Sequence, residues 1–456
     1  MAMSRLWWAL ALSVLVPLGI FAASVGGTLD FSNQRALASA FTQLSGIVAL
    51  AMMAFAILLS MRPRWLERPL GGLDKMYRLH KWLAVGGLLI GIVHWLTATG
   101  SGSGHGPRPT ADAVAPVATQ AAGDAVTTAT DAASGIASML QDFIGPAHMV
   151  AEPALFILIV LVLVALIRLI PYRIFAKTHI LVVPIFLVLA FHAIVLLKTS
   201  YWSNPVSWLT VLIVIVGVVG SGYALAHYVG WRRYTRAKVV WSHYYPEIRV
   251  LEAVFETEPG WPGHAAGQFA FVTTDRWEGA HPYTIATDWT PSEHRIGFIA
   301  KELGDHTAKL RSHLTEGTAA QIEGPYGCFT FADGKARQIW IGAGIGITPF
   351  IAKMKERATT PQETTVDLFH VTTDISEEAL AKMRADADAA QINLHILISP
   401  RDGRLDVDKI KAAVPNWSAA SVWFCGPVAF GTALRRGFLR AGLSSRNWHQ
   451  ELFQMR

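Results

Sequence analysis

Six apolar stretches in the first half of this chain leave little choice of fold, because an apolar run of about 20 residues is the length that spans a bilayer as a helix. They lie at approximately 5–26, 38–61, 77–98, 153–170, 178–198 and 206–229. Residues 155–169, LFILIVLVLVALIRL, show the pattern most plainly. Apolar residues make up 52% of the 456-residue chain and charged residues 16%, but these averages merge two unlike halves that meet near residue 230. Beyond that point the composition is that of a soluble α/β protein. The opening MAMSR and the apolar run Leu6–Val25 are longer than a signal-peptide core, so an uncleaved first span is expected.

Charge sets the orientation. Arg62, Arg64, Arg68, Lys75, Arg78 and Lys81 crowd the loop after the second span, and Arg168, Arg173 and Lys177 surround the loop after the fourth. Arg232, Arg233, Arg236 and Lys238 follow the sixth. Basic loops stay on the cytoplasmic side, so both termini and the soluble half are expected there, in a bacterial-type inner or plasma membrane. The net charge of +6 is accounted for by these clusters and implies no nucleic-acid partner. The opposite loop, 99–152, is a Gly/Ala/Ser/Thr-rich external insertion that cannot bury much core. Within it, residues 134–149 have the apolar content of a short interfacial helix. The two cysteines, Cys328 and Cys425, both fall in the soluble half and imply no disulfide framework.

Ionisable residues inside spans are costly and tend to mark function. The third span contains His80 and His94, and the fifth contains His179 and His192. Separations of 14 and 13 residues put each pair roughly 20 Å apart along its helix, within a hydrocarbon core of about 30 Å. Both spans run outward from the cytoplasmic side, so His80 and His179 share an inner level and His94 and His192 an outer one. An imidazole from each of two facing helices can ligate one haem iron per level, leaving no open iron position. The phase fits only one helix: 14 residues return to within about 40° of the starting face, whereas 13 leave about 140°. The fifth span must be distorted, or its haems must sit on different sides of it; Pro184 lies between the two histidines, where a proline can supply a kink. Phe186, midway between the levels, is read first as core packing and second as a bridge between the haems.

Histidines paired at these spacings on the third and fifth of six spans resemble the ferric reductase and NADPH oxidase superfamily; dihaem cytochromes b of respiratory complexes have similar spacings. The soluble half discriminates between them. From about Val239 to Asp333, short β-like runs alternate with Gly and Pro turns, the pattern of a small antiparallel barrel. Within it, His281-Pro282-Tyr283-Thr284 resembles the flavin-binding signature of ferredoxin-reductase-like proteins, in which the aromatic and the Thr lie against the flavin. Lys301, Gly304 and Thr307 match the family segment that meets the flavin pyrophosphate, and Glu323-Gly324-Pro325-Tyr326-Gly327 its closing turn.

The apolar strand Gln338–Ile341 then leads into GAGIGITPF, residues 342–350. A glycine-rich turn between strand and helix lets backbone amides approach a pyrophosphate. Its GxGxG spacing is not the Rossmann GxGxxG, but as a family string Gly342, Gly344, Gly346, Thr348 and Pro349 resemble the nicotinamide-binding lobe. By the same resemblance Cys425, with Gly426 and Pro427, sits beside the nicotinamide, and Phe453 covers the flavin near the C-terminus. Thr372-Thr373-Asp374 after the second strand favours NADH, with Arg401 and Arg404 able to compensate for NADPH.

The expected fold class is thus a multi-domain membrane protein: a six-helix transmembrane dihaem bundle, then an antiparallel β-barrel FAD domain and an α/β nucleotide-binding domain. The expected boundaries are 1–37 for the first helix and external loop, 38–230 for the haem domain, 231–334 for the FAD barrel and 335–456 for the NAD(P)H domain. The resemblance implies electron flow from NAD(P)H through FAD and two b haems to an external acceptor, a ferric or other metal chelate. The alternatives are reduction of oxygen to superoxide and delivery of electrons to an external protein partner. Eukaryotic-type oxidases carry an arginine in the second span and a histidine one turn beyond the outer ligand; here the second span has no internal Arg and Ala98 stands four residues after His94.

Overall fold

A computed structural model describes residues 2–100, 139–167, 169–226, 229–230, 233–275, 279–303 and 305–451. The chain forms two compact bodies: a membrane body of Met3–Leu66 with Met76–Val229, and a reductase body of Glu67–Lys75 with Gly230 onward.

In the membrane body the helices are α1 (Ala2–Val25), α2 (Gln34–Ser60), α3 (Arg64–Leu70, whose last residues belong to the other body), α4 (Leu73–Gly100), α5 (Ile144–Leu166), α6 (Tyr172–His179), α7 (Val182–Val195) and α8 (Pro205–Leu225). Among the described residues six helical stretches are long and apolar enough to cross a membrane, the fifth being α6 and α7 taken together. The side chains Leu89, Val160 and Trp208 are 58%, 58% and 74% exposed, a surface that only a bilayer covers comfortably. This is an integral membrane protein. Asn33 caps α2 by accepting from the amides of Arg35 and Ala36 at 3.0 and 3.2 Å, and Asn204 caps α8 ahead of Pro205. Glycines bring α8 close to its neighbours: a Cβ on Gly220 would lie 2.7 Å from Ile57 and one on Gly217 2.1 Å from Phe186. Phe186 is accordingly sealed among Leu50, Ala54, Ile57 and Ala190, a packing role.

One expectation changes. Residues 144–149 are not a separate interfacial helix but the opening turns of α5, preceded by a 3-10 turn at Gln141–Phe143. His148 and Glu152 interrupt the apolar run without interrupting the helix, which also continues through Pro153. The fifth span is broken between His179 and Val182, and Ile180, the first residue of the break, is four residues ahead of Pro184. Pro184 has no amide to bond the carbonyl of Ile180 and its ring crowds that carbonyl; Val183 bonds it instead, in a tighter turn at 3.0 Å.

In the reductase body, strands β1 (Tyr234–Tyr245), β2 (Val250–Thr257), β3 (Phe269–Thr273), β4 (His281–Thr284), β5 (Arg295–Lys301) and β6 (Ala319–Tyr326) form an antiparallel sheet in the order β4-β3-β6-β1-β2-β5. The sheet curls until a bridge between Ile285 and Phe298, with the Ala286 amide donating to Gly297 at 2.8 Å, joins its two edges. The barrel is therefore not fully closed by a ladder. A short helix α9 (Asp305–His313) covers one end.

Strands β7 (Arg337–Ala343), β8 (Thr365–Thr372), β9 (Asn393–Ile398), β10 (Ser421–Cys425) and β11 (Trp448–Gln450) form a parallel sheet in the order β11-β10-β7-β8-β9. Helices α10 (Thr348–Thr359), α11 (Glu377–Ala389), α12 (Ser399–Asp402), α13 (Val407–Ala413) and α14 (Val428–Arg440) connect them. The strand period of two splits the core: Trp340, Trp423 and Leu368 face Phe350 and Met383, whereas Ile339, Ile341, Val422 and Phe424 face Ile410 and Phe438.

Candidate functional site

The membrane body brings the four predicted histidines together as two pairs. His80 and His179 have ring centroids 5.9 Å apart with planes at 75°, and His94 and His192 are 6.2 Å apart at 85°. The break before Val182 is what allows this, because a continuous helix would have turned one of the 13-residue-spaced histidines away. Three of the four rings are held by backbone. His80 Nδ1 lies 2.8 Å from the Ala56 carbonyl, His94 Nδ1 2.9 Å from that of Thr42, and His192 Nδ1 3.0 Å from that of Ala147. A carbonyl only accepts, so each Nδ1 carries the proton and each Nε2 keeps its lone pair, the arrangement of a metal-ligating imidazole. His179 instead stacks on Phe175 at 5.0 Å, and its buried Nδ1 has no hydrogen-bond partner among the described residues.

These distances test whether the pairs fit haem iron. Metal–imidazole bonds of about 2.0 Å to Nε2 on opposite sides of one ion place the two ring centres about 6.4 Å apart. The separations of 5.9 and 6.2 Å are close to that spacing. At the outer level a cavity of about 900 Å³ opens between α2, α4, α5 and α7, with His94 and His192 on its wall, inside the range of cofactor pockets. Gly46 lines it too, and a Cβ there would lie 3.0 Å from His94 Cε1. Sequence reasoning missed His148 and Glu152, which line the same cavity from α5. The signal was their spacing of four residues, one helical turn.

In the reductase body, β4 presents the His281–Thr284 segment against β3, with Tyr283 paired to Ala270 and Thr284 to Phe269. Tyr283 packs edge-on to Phe298 at 6.2 Å, and Thr284 is buried. Pro282 pairs with Phe271 in the same ladder. Lys301, at the end of β5, donates to Asp374 at 2.7 Å, and that bond holds the Asp374 carboxyl below its ordinary pKa. Thr307 accepts from the Leu303 amide at 2.8 Å in the first turn of α9. Gly304 and Phe453 lie outside the described residues.

The glycine turn follows β7 and leads into α10. Thr348 donates to the Ile345 carbonyl at 2.8 Å, Pro349 occupies the first turn of the helix, and Gly344 has φ +56°. Gly346 is fixed by close approach: a Cβ there would lie 2.3 Å from the Cys425 carbonyl oxygen. Gly342 pairs with Cys425 across the β7–β10 ladder, and a Cβ on Gly426 would meet Ala343 at 2.7 Å, with Pro427 next, at the cap of α14. Gly342, Gly346, Cys425 and Gly426 thus converge at the carboxyl ends of the strands, where open α/β sheets bind ligands. Cys425 is fully buried, which pushes its thiol up and keeps it protonated.

Sequence reasoning also missed Glu451. It is buried at 3% exposure, its Oε2 has no hydrogen-bond partner among the described residues, and burial with help from Asp74 raises its carboxyl pKa well above the ordinary value. Asp74 is itself buried and bonded to Lys75 at 2.9 Å, and Lys75 reaches the Gln450 carbonyl at 3.4 Å. Glu67 accepts from the Gly327 amide at 2.8 Å and from Arg233 at 3.4 Å, and Arg233 lies 4.2 Å over the Tyr326 ring. No sequence window links residues 67–75 to the closing turn of the barrel, so no local signal could have found this cluster.

Residues 45–190 match the family described as ferric reductase like transmembrane component. The chain is also similar to a flavohemoprotein of Deinococcus radiodurans, 24% identical over 45% of this chain and 55% of that protein. It is also similar to respiratory burst oxidase homolog protein E of Arabidopsis thaliana, 26% identical over 41% of this chain and 22% of that protein. A solved ferredoxin reductase in carbazole 1,9a-dioxygenase overlays with a TM-score of 0.41 at 19% identity, over 48% of this chain and 69% of that one. The chain therefore spans about half, or less, of the curated relatives named here. The chain thus carries a ferric-reductase-like transmembrane component at residues 45–190, in a chain that is also similar to flavohemoproteins and to a respiratory burst oxidase homolog.

Proposed function

We propose that the chain is an oxidoreductase that moves electrons across the membrane, from cytoplasmic NAD(P)H through FAD and two b-type haems to an external ferric or other metal chelate. The observation that carries this reading is the pair of facing imidazole pairs, each ring but His179 fixed by a backbone carbonyl with Nε2 left free. His80 and His179 hold the inner iron and His94 and His192 the outer. When bound, flavin accepts a hydride and haem iron carries one electron at a time.

The remaining work belongs to the chain. Tyr283 and Thr284, with His281 and Pro282, offer an aromatic face and polar groups to the flavin ring, and Lys301, Gly304 and Thr307 meet its pyrophosphate. Gly342, Gly344 and Gly346 let backbone amides approach the nicotinamide dinucleotide, with Thr348 and Pro349 starting the helix behind them. Cys425, Gly426 and Pro427 keep the nicotinamide side of the cleft small, and Phe453 covers the flavin. The domain boundaries follow as 38–230, 231–334 and 335–456, with both termini cytoplasmic.

A second reading, superoxide formation, is favoured by the likeness to the plant respiratory burst oxidase homolog. Purified full-length protein decides both. A reduced-minus-oxidised spectrum with pyridine haemochrome quantitation is expected to give two b haems per chain, and the absence of b-type absorption after haem supplementation sinks the proposal. NAD(P)H oxidation that runs anaerobically with ferric citrate supports metal reduction; dye reduction in air that superoxide dismutase abolishes supports the oxidase.

A further inference from the structure

A cavity of about 100 Å³ lies inside the reductase body, between β2, β5, α11 and the glycine turn. Gly344 and Ile345 line it from the turn, and His370, Thr372 and Asp374 line it from the carboxyl end of β8. His370 and Thr372 are two residues apart, so strand geometry turns both to one face. His370 is 6% exposed and pairs with Gly342 in the β7–β8 ladder. Its Nδ1 lies 3.3 Å from the Gly342 carbonyl, its one hydrogen bond among the described residues. A carbonyl only accepts, so Nδ1 carries the proton and Nε2 is left as an acceptor without a partner there. Burial holds the His370 pKa down at about 4, so the ring is neutral at neutral pH.

The sheet order β11-β10-β7-β8-β9 sets the glycine turn of β7 between two neighbours. Cys425 ends β10 on the nicotinamide side, so His370, near the end of β8, lies on the adenosine side. A ligand group that meets His370 Nε2 must bring a proton. A phosphate at neutral pH is an acceptor, whereas a ribose hydroxyl can donate. The cations of the cavity are already engaged, Lys301 with Asp374 and Lys382 with Glu252, each at 2.7 Å. With Asp386, three carboxyl groups face two ammonium groups around it.

We propose that His370 accepts a hydrogen bond from a hydroxyl of the adenosine ribose and that, with Asp374 at the second hydroxyl, it selects NADH over NADPH. The inference rests on the dinucleotide reading of the glycine turn and adds to it a residue that no motif marks. A 2′-phosphate removes one of the two donors and brings negative charge beside two acceptors. A site built to bond a hydroxyl rejects the analogue that lacks it, because its own buried group is left unpaired.

The test measures binding of ADP-ribose and of nicotinamide mononucleotide to detergent-solubilised full-length protein by calorimetry, beside turnover with NADH and NADPH. His370→Phe keeps a flat ring and removes the acceptor. Its Kd for ADP-ribose is expected to rise about tenfold, the size of one lost hydrogen bond, while that for nicotinamide mononucleotide stays the same. His370→Gln, whose amide oxygen accepts, should hold the ADP-ribose Kd within about twofold of wild type. The ratio of kcat/KM for NADH over NADPH should exceed about ten in wild type and fall about tenfold in His370→Phe. An unchanged ADP-ribose Kd in His370→Phe overturns the proposal, and so does a wild-type preference for NADPH. Equal weakening of both ligands also overturns it, because a purely structural role gives that result. Should wild type bind ADP-ribose yet pass no electrons from NADH to haem, the electron-transfer reading fails alone, and the binding data still decide the role of His370.

Discussion

Gly46→Ala should cost the protein its outer haem and leave the inner one in place. The added Cβ would lie 3.0 Å from His94 Cε1 and 3.2 Å from Nδ1, inside the roughly 3.5–4.0 Å of a relaxed contact. The ring must therefore retreat by about 0.5 Å. That movement stretches the Nδ1 bond to the Thr42 carbonyl from 2.9 Å to about 3.4 Å, past the range of a good N–H···O bond. Losing a bond that orients a ligating histidine weakens metal affinity about 10–100-fold, or about 1.4–2.8 kcal/mol. Alanine exceeds glycine in helix propensity by about 1 kcal/mol, so a weakened α2 cannot be the cause. Pyridine haemochrome quantitation after purification should fall from two haems per chain toward one, while Gly222→Ala, with nothing within 4 Å of its Cβ, keeps two. Two haems with unaltered midpoint potentials in Gly46→Ala would refute the argument.

Three further outcomes are expected. His80→Ala and His179→Ala should each lose the same single haem equivalent, since one iron needs both ligands; different haem contents in the two variants would break the inner pairing. Gly346→Ala drives a Cβ to 2.3 Å from a backbone oxygen that cannot rotate away, an overpacking cost of about 1–3 kcal/mol, and should raise the KM for NAD(P)H as the turn is displaced; an unchanged KM counts against this turn as the dinucleotide site. Glu451 has a folded-state pKa raised by burial, so the stability linked to its protonation is complete below its unfolded pKa of about 4.3 and is lost as pH rises through the folded value. Glu451→Gln should therefore flatten the decline in the temperature of flavin release as pH rises above about 4.3, and an equally steep decline in the variant would rule Glu451 out as its source.

Much of this protein is legible in short windows of sequence. A bilayer demands about 20 apolar residues per span, and all six runs appear as membrane-length helical stretches among the described residues, the fifth interrupted after His179. Strands β2, β3, β5 and β6 and the parallel strands β7 to β10 lie where alternating or apolar runs indicate them, within a few residues. The long first strand β1 is less visible, because its outward residues face solvent while its register is set by β2 on one side and β6 on the other. The cavity residues His148 and Glu152 were hidden by an assumption about where the fourth span begins, since hydropathy falls at polar residues even when the helix continues.

Hydropathy, helix rise and turn chemistry act over a few residues, so the sequence by itself determined the six spans, the two histidine levels and the glycine turn. It also showed that a regular fifth helix could not face both histidines the same way, leaving either a kink at Pro184 or haems on different sides of that helix. Only the tertiary structure decided which carbonyls hold the imidazole Nδ1 protons, where the fifth span breaks, that Glu67–Lys75 packs with residues more than two hundred positions away, and that Glu451 is sealed from water. Those outcomes depend on pairing between distant segments, where each group's partner is chosen by the shape and desolvation of everything packed around it.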